Sequence, residues 1–262
     1  MAWQPAAMPA RGMSKEQLVF VACLFLLLAL AWLVLQRMTE VMAAPGGMAD
    51  MAMAGMPMPW SVGDAALMFA MWAVMMVGMM LPSALPMFLL YQMLLRRRMP
   101  SPQRHWALVL FCAAYLVVWG GFSLIATLLQ WGLDHLALLD VQMRSASTPL
   151  AAVLLIAAGV WQWLPAKSAC LERCRGPMQF LLTGWRPGVT GGWHLGLAHG
   201  AWCLGCCWAL MGLLFVVGVM NLLWVALIGA FVLFEKTLPL GLWLSRAGGL
   251  LLVGWGAALL LP

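Results

Sequence analysis

Charged residues are scarce in this sequence, and their scarcity excludes a soluble domain. Only 8% of the 262 residues are charged, whereas 65% are hydrophobic and the mean hydropathy is +0.96. Several apolar runs exceed the ~18 residues with which a helix crosses a bilayer core. The runs are continuous and do not alternate every second residue, so we expect membrane helices and not a membrane β-barrel.

Several sequence features are absent, and each absence argues against one class of function. The sequence has no G-x-x-x-x-G-K-[ST] phosphate loop, so we do not expect pumping driven by the chain's own ATP hydrolysis. No internal repeat is evident, and nothing therefore points to an inverted-repeat secondary transporter. The net charge of +6 comes from basic residues in short loops, which predicts no nucleic-acid partner. Seven cysteines, mostly within or beside apolar runs, are not typical of a secreted disulfide framework.

The pattern predicts an all-α polytopic membrane protein, a bundle of about six to seven transmembrane helices in the lipid bilayer. The predicted spans cover residues 17–35, 64–95, 106–130, 149–164, 192–220, 222–244 and 247–262. We expect Pro82 and Pro86 to kink or break the second span. Residues 1–60 would form an N-terminal helix with a Met-rich external loop, and residues 61–262 the membrane bundle.

The basic residues predict the orientation of these helices. The outside loops contain only Arg37 and Arg144. The inside loops and ends contain Arg11, Lys15, Arg96, Arg97, Arg98, Arg104, Lys167, Arg173, Arg175, Arg186 and Arg246. Because inside loops are enriched in Lys and Arg, the N-terminus is predicted to be cytoplasmic and the Met-rich loop to lie outside.

A cluster of potential metal ligands lies in the run from residue 192 to residue 220. If this run is helical, His199, Cys203, Cys207 and Met211 follow one another at steps of four and line one face. Cys206 lies about 100° round the helix from that face. All of these residue types ligate soft or borderline metals, which predicts a metal or redox site. The alternative is that the cysteines are small buried hydrophobes.

Methionine is concentrated in one part of the chain, because 16 of the 23 methionines lie between residues 38 and 99. In residues 38–59 they lie among Ala, Gly and Pro, and the string from residue 48 to residue 59 is predicted not to be a regular helix, which indicates a low-affinity trap for Cu(I). In the second span they form two adjoining helical stripes, one of Met68, Met71, Met75 and Met79 and one of Met76 and Met80. The alternative is that these methionines are adaptable packing residues.

Two further pairs of residues have side chains suited to a functional site. Cys170 and Cys174 are four residues apart in an inside loop, so they would project from one side of a short helix, suited to metal capture or to disulfide chemistry. Glu235 and Lys236 lie within a predicted span, where charged residues are costly and usually functional. Since sequence neighbours on a helix do not face each other, each should find a partner on another helix, or Lys236 should snorkel.

The chain resembles a bacterial family of predicted metal-binding integral membrane proteins (domain of unknown function 2182). The resemblance runs from about residue 60 to the end and rests on five motifs in order, which are Met71-Trp-Ala-Val-Met75-Met76-Val-Gly-Met79-Met80-Leu-Pro82-Ser83, Cys170-Leu-x-x-Cys174-Arg-x-Pro177 with Phe180, Gly200-x-x-Cys203-x-Gly205-Cys206-Cys207-Trp208, Gly218-x-Met220-Asn221-x-x-Trp224, and Glu235-Lys236. It implies a metal-binding protein of the bacterial cytoplasmic (inner) membrane and leaves the reaction open.

These observations favour a soft-metal protein, with Cu(I) as the expected ion and Zn²⁺ as the second choice. The predicted ligand set comprises Met71, Met75, Met76, Met79, Met80, Cys170, Cys174, His199, Cys203, Cys206, Cys207, Met211 and Glu235. Their predicted depths form a gradient from outer thioethers to a thiol cluster ~15 Å from the inner face, and then to Cys170 and Cys174 at that face. Such a gradient suits copper transfer, uptake or delivery, to a metallochaperone or a larger membrane complex.

Two alternatives remain at the level of sequence. A membrane thiol–disulfide oxidoreductase would use the same cysteines and leave the methionines without a role. An accessory or assembly subunit of a membrane complex would use the 16 tryptophans at lipid and partner contacts. Metal binding or transport is expected in preference to catalysis.

Overall fold

The protein is all-helical in a computed structural model that describes residues 15–43, 60–136, 138–139, 145 and 147–261. Its helices, in chain order, are α1 Lys15–Ala43, α2 Val62–Arg98, α3 Ser101–His135, α4 Thr148–Trp161, α5 Pro165–Arg175, α6 Pro177–Thr183, α7 Thr190–Gly212, α8 Leu214–Val217, α9 Leu222–Thr237 and α10 Gly241–Ala258. Within the described residues the only β pairing is an isolated bridge between Leu139 and Ser145. Most of the Met-rich segment, residues 44–59, lies outside the described residues.

Among the described residues, four stretches are long and apolar enough to cross a membrane. They are α1, α2, α3 and the segment Thr190–Val217, which joins α7 to α8. Helices α4 and α5 qualify together as a fifth, although they are bent by 62° at the break between them. The structure is thus compatible with a membrane protein of four or five spans. The count of six to seven spans and the cytoplasmic N-terminus stay predictions.

Helix α2 continues without interruption through Pro82 and Pro86, so the expected break is absent. It begins with a capping box in which the Ser61 hydroxyl accepts from the Asp64 amide and the Asp64 carboxylate accepts from the Ser61 amide. Near the prolines, the Ser83 hydroxyl donates to the Met80 carbonyl at 2.9 Å. Proline is tolerated within membrane helices that pack against neighbouring helices.

Close packing of α7 against α3 positions the cysteine-containing helix. A Cβ on Gly192 would lie 2.2 Å from the Ala107 carbonyl oxygen, and one on Gly196 would lie 2.3 Å from that of Phe111. Only glycine permits this approach, as in small-residue packing motifs of membrane helices. The glycines recur every four residues at 192, 196 and 200, and Cys203 follows Gly200 by three residues, where its Sγ atom meets the Tyr115 hydroxyl of α3.

The turn between α8 and α9 divides the C-terminal apolar run at Asn221 as predicted. The second division, predicted at residues 245–246, is wrong, because these residues lie within α10 and the chain turns at residues 238–240. Gly218 has φ 97°, a left-handed conformation that ends α8. Asn221 then caps α9, because its side chain accepts a hydrogen bond from the Trp224 amide. Helix α9 therefore starts at a defined point and carries Glu235 and Lys236 in its last turn.

Candidate functional site

Four thiols from two helices come together in the interior of the bundle. Helix α7 buries Cys203, Cys206 and Cys207 almost completely. Cys174 on α5 lies close enough to Cys203 and Cys206 to interact with them, and so does Cys207. We call Cys174, Cys203, Cys206 and Cys207 the thiol cluster.

Cys174 lies closer to the cysteines of α7 than the sequence predicts. We expected Cys170 and Cys174 at the inner face, ~15 Å from the cysteines of α7, but Cys174 lies close enough to interact with that group. Helix α5 is bent by 62° from α4 and packs against α7, a contact between helices that the sequence does not indicate. Cys170 is also adjacent, since its Sγ atom lies 2.8 Å from where a Cβ on Gly205 would be.

The thiol cluster meets the buried methionines of α2. The Sγ atom of Cys207 lies 3.8 Å from the Sδ atom of Met80. The predicted methionine ligands of α2 are all buried, namely Met71, Met75, Met76, Met79 and Met80. Further along the same helix, the Met68 Sδ atom accepts a hydrogen bond from Gln130 at 3.5 Å. The buried methionines of α2 therefore adjoin the thiol cluster through Met80.

Cys203 is the member of the cluster with the most varied polar contacts. Its Sγ atom lies 3.0 Å from the Lys236 ammonium and 3.3 Å from the Tyr115 hydroxyl. Its backbone carbonyl accepts from the thiols of Cys206 and Cys207 at 3.0 and 2.9 Å. A cation, a phenol and two thiols thus surround one residue.

His199 and Met211 continue the same face of α7 on either side of the cysteines, and both are buried. The His199 ring stacks between Tyr115 and Phe111, with centroid distances of 5.3 and 6.1 Å. Its Nε2 atom is buried and has no hydrogen-bond partner among the residues that the structure describes. A buried polar atom without a partner is costly, so this nitrogen is suited to accept a ligand.

Glu235 and Lys236 find separate partners on other helices, which confirms that expectation. Glu235 forms an ion pair with Lys167 of α5, with Nζ–Oε distances of 2.7 and 3.0 Å. Lys236 instead donates to Cys203 and to the Ser83 hydroxyl. The role of Glu235 as a metal ligand stays a prediction, and in this structure its carboxylate is occupied by Lys167.

The Glu235–Lys167 pair belongs to a buried polar group at the bend between α4 and α5. Lys167 also donates to the Gln162 side-chain carbonyl, and the Ser245 hydroxyl donates to the same oxygen at 2.7 Å. These contacts join α5, α9 and α10 next to the thiol cluster. They hold the ends of the helices that carry Cys174 and Lys236.

In the described part of the chain, no group of three or more His, Cys, Asp or Glu side chains is arranged to hold a metal ion. The thiols are instead directed at one another and at the Cys203 carbonyl. Rotation about χ1 of Cys206 and Cys207 would break hydrogen bonds that contribute ~1 kcal/mol each. The donor set itself, thiols beside thioethers, has the softness that Cu(I) prefers.

Sequence reasoning missed three residues of this site. Tyr115 has no motif around it, and the one available signal is that it is one of only two tyrosines in the chain. Ser83 and Lys167 were noted only as parts of a motif and of a basic loop. Their contacts with Lys236 and Glu235 depend on helix packing that a sequence pattern does not contain.

A comparison with protein families identifies one match. The family model PpoB2, described as a copper chaperone, matches residues 69–259. No curated protein and no solved structure matches the chain. The matched range contains the thiol cluster and the methionines that reach it, whereas α1 and residues 44–59 precede it. The resemblance to domain of unknown function 2182 stays a prediction, and the chain belongs to the PpoB2 copper chaperone family.

Proposed function

We propose that this protein is an integral membrane copper chaperone that carries Cu(I) on sulfur, from buried thioethers to the thiol cluster. The observation that carries the proposal is the 3.8 Å contact between Met80 Sδ and Cys207 Sγ, where the two kinds of sulfur ligand adjoin. Neutral thioethers bind Cu(I) more weakly than thiolates do. An ion on the methionines would therefore move toward the cysteines by ligand exchange.

The proposed direction of transfer is inward across the bacterial cytoplasmic membrane. The basic residues favour a cytoplasmic side next to α5 and a periplasmic side next to residues 38–59. The Met-rich segment would collect Cu(I), the α2 methionines would conduct it, and Cys170 with Cys174 would release it to a recipient. A metallochaperone or a larger membrane complex is the expected recipient. Zn²⁺ fits the thiols and His199 but leaves the methionines without a role.

Copper binding tests the proposal. The full-length protein is purified reduced and loaded anaerobically with Cu(I), and bound copper is counted. We expect Cys203→Ser/Cys207→Ser to lose most bound copper, because it removes two thiols of the cluster. We expect Met75→Leu/Met79→Leu/Met80→Leu to reduce transfer from an external Cu(I) donor to the thiols.

Two matched controls separate ligand loss from general damage. Cys112→Ser removes a cysteine of α3 that has no part in the proposed site, and Met87→Leu changes another buried methionine of α2. Both controls should bind and transfer like the unmodified protein. Equal, substoichiometric copper in the unmodified protein and in the cysteine and methionine variants would refute the proposal.

One observation favours a second candidate, a thiol–disulfide oxidoreductase. The Cys174 thiol lies beside Cys203 and Cys206 of another helix, which is the arrangement from which a disulfide between two helices would form. Forming it releases two protons and passes two electrons to an acceptor such as a quinone. This activity requires the cysteines alone, so a triple methionine variant with full activity would favour it over copper transfer.

A further inference from the structure

We propose that Met68 is the first buried ligand for the copper ion and that the Gln130 amide sets how weakly Met68 holds it. The inference rests on the proposed function and adds two residues that the predicted ligand set does not contain. Met68 is a thioether ligand, whereas Gln130 is a positioning residue that acts through the Met68 sulfur. The two side chains meet between α2 and α3, where the Gln130 Nε2 atom lies 3.5 Å from the Met68 Sδ atom.

Met68 lies toward the end of α2 that is remote from the thiol cluster. It precedes Met80 by twelve residues, which corresponds to ~18 Å along the helix. It shares a helical stripe with Met71 and Met75, three and seven residues further on. Although it lies only seven residues into α2, its side chain is completely buried. Along α2, Met68 is therefore the first buried methionine after residues 44–59, which are proposed to collect the ion.

The Gln130 amide is held in one orientation. Its side-chain carbonyl accepts a hydrogen bond from the Trp72 indole at 2.6 Å. Because an indole N–H can only donate, it selects the oxygen of the amide and leaves the NH₂ group toward Met68. The Trp72 ring in turn packs on Phe122 and Phe215, with ring centroids 6.4 and 5.2 Å away. The donor that faces the Met68 sulfur is thus fixed before an ion arrives.

A donor directed at the sulfur makes Met68 a weaker ligand. A thioether binds a metal through a sulfur lone pair, and accepting a hydrogen bond uses a lone pair as well. An ion that takes the lone pair facing Gln130 has to displace the N–H. An ion on the other lone pair meets a sulfur whose electrons are already drawn toward a donor. Weak binding at this first ligand lets the ion pass on to the next sulfur, whereas a tight first ligand would retain it.

The contact between Gln130 and Met68 is poorly matched for a purely structural role. A buried amide in a membrane helix is costly, and a thioether is a weak acceptor that offsets little of that cost. Two other buried polar side chains of α3 bond within their own helix, since Ser123 donates to the Trp119 carbonyl and Thr127 to the Ser123 carbonyl, both at 2.8 Å. Gln130 instead crosses to α2 and directs its donor at a sulfur.

Methyl NMR tests both parts of the inference on the reduced, full-length protein, labelled with carbon-13 at the methionine methyl groups. Ag(I), a closed-shell ion with the softness of Cu(I), is added beyond saturation of the thiols, so that the excess reports on the thioethers. The Met68 signal is identified by its absence from Met68→Leu. We expect this signal to shift as Ag(I) is added. In Gln130→Leu it should reach half of its shift at about threefold to fivefold lower free Ag(I), the effect of one hydrogen bond.

Thr127→Val is the matched control. It removes a buried polar group of α3 three residues before Gln130, whose hydroxyl bonds within its own helix. The Ag(I) concentration that half-shifts the Met68 signal should be the same in this variant as in the unmodified protein. Should Gln130→Leu not fold, Gln130→Leu/Trp72→Phe replaces it, because it removes the amide together with the indole donor that the amide satisfies.

The outcomes separate the inference from the proposed function. A Met68 signal that shifts, at lower Ag(I) in Gln130→Leu, supports the inference. A Met68 signal that does not move while those of Met75 and Met79 do overturns it, and so does a half-shift concentration that Gln130→Leu leaves unchanged or raises. In both cases the proposed function stands. If Ag(I) shifts no methionine signal and binds no thiol, the proposed function fails and the inference fails with it.

Discussion

At the scale of single residues, Lys167 and Glu235 show how two buried charges are accommodated by pairing with each other. Both side chains are almost completely buried, and the two Nζ–Oε distances of 2.7 and 3.0 Å make a closely matched pair. The pair itself need not stabilise the fold, because desolvation offsets much of the attraction. Its partners, Gln162 and Ser245, do tie α5 to α10 through polar contacts. The residues therefore specify an arrangement of helices.

The first prediction concerns removal of one member of this pair. Lys167→Met leaves the Glu235 carboxylate buried without a partner and should lower the free energy of unfolding by about 3–5 kcal/mol. Lys167→Met/Glu235→Met removes both charges and should recover much of that loss. Thermal unfolding in detergent, followed by tryptophan fluorescence, measures the difference. A double variant as unstable as the single one would contradict the pairing explanation.

At the scale of elements, the glycines of α7 determine how close the cysteines come to α3. Gly196 faces the Phe111 carbonyl and the Ala114 side chain, and a Cβ there would lie 2.3 and 2.8 Å from them. Backbone atoms cannot yield as a flexible side chain does, so the helices would have to separate. Separation of α3 from α7 would also take Tyr115 away from Cys203.

The second prediction follows from that contact. Gly196→Ala should destabilise the protein by roughly 1–3 kcal/mol through overpacking, and it should reduce the amount of copper bound at the cysteines. Gly212→Ala is the matched control in the same helix, because a Cβ there meets nothing within 4 Å. The control should be as stable as the unmodified protein or slightly more stable, since Ala favours helix over Gly. Equal behaviour of the two variants would rule out close packing as the role of Gly196.

At the scale of the whole molecule, polar contacts mark the two ends of the bundle. Glu16 at the start of α1 pairs with Arg104 at 2.6 Å and approaches Arg96 at 3.7 Å, which joins the start of α1 to the turn between α2 and α3. At the other end, the Trp60 indole donates to the Asp134 carboxylate at 2.8 Å. The start of α1 and the basic turn therefore lie at the same end, as an alternating topology requires.

The third prediction is the side of the membrane on which each end lies. A protease site inserted after Met99 of the full-length chain should be protected in spheroplasts, because the adjoining basic turn is predicted to be cytoplasmic. A site inserted after Ser145 should be cut by externally added protease. The two insertions control for each other, and disruption of the cells should expose both. Cleavage after Met99 in intact spheroplasts would reverse the proposed direction of copper movement.

The sequence alone determined that the protein is helical and rich in apolar spans, and it supplied the candidate ligands with their chemistry. Long apolar runs require helices, because in lipid every backbone group must be satisfied within its own segment. Softness is a property of sulfur itself, so a preference for copper can be predicted from Cys and Met before any fold is known. The family match to a copper chaperone agrees with that preference.

Tertiary structure decided which of these residues meet. The packing of α5 against α7 places Cys174 beside Cys203, and the packing of α9 directs Lys236 to the thiols and Glu235 to Lys167. Helical periodicity fixes the angle between residues on one helix, but the rotation and register of neighbouring helices depend on contacts distant in sequence. For that reason the face of each helix was predictable, whereas the partners across the interfaces were not.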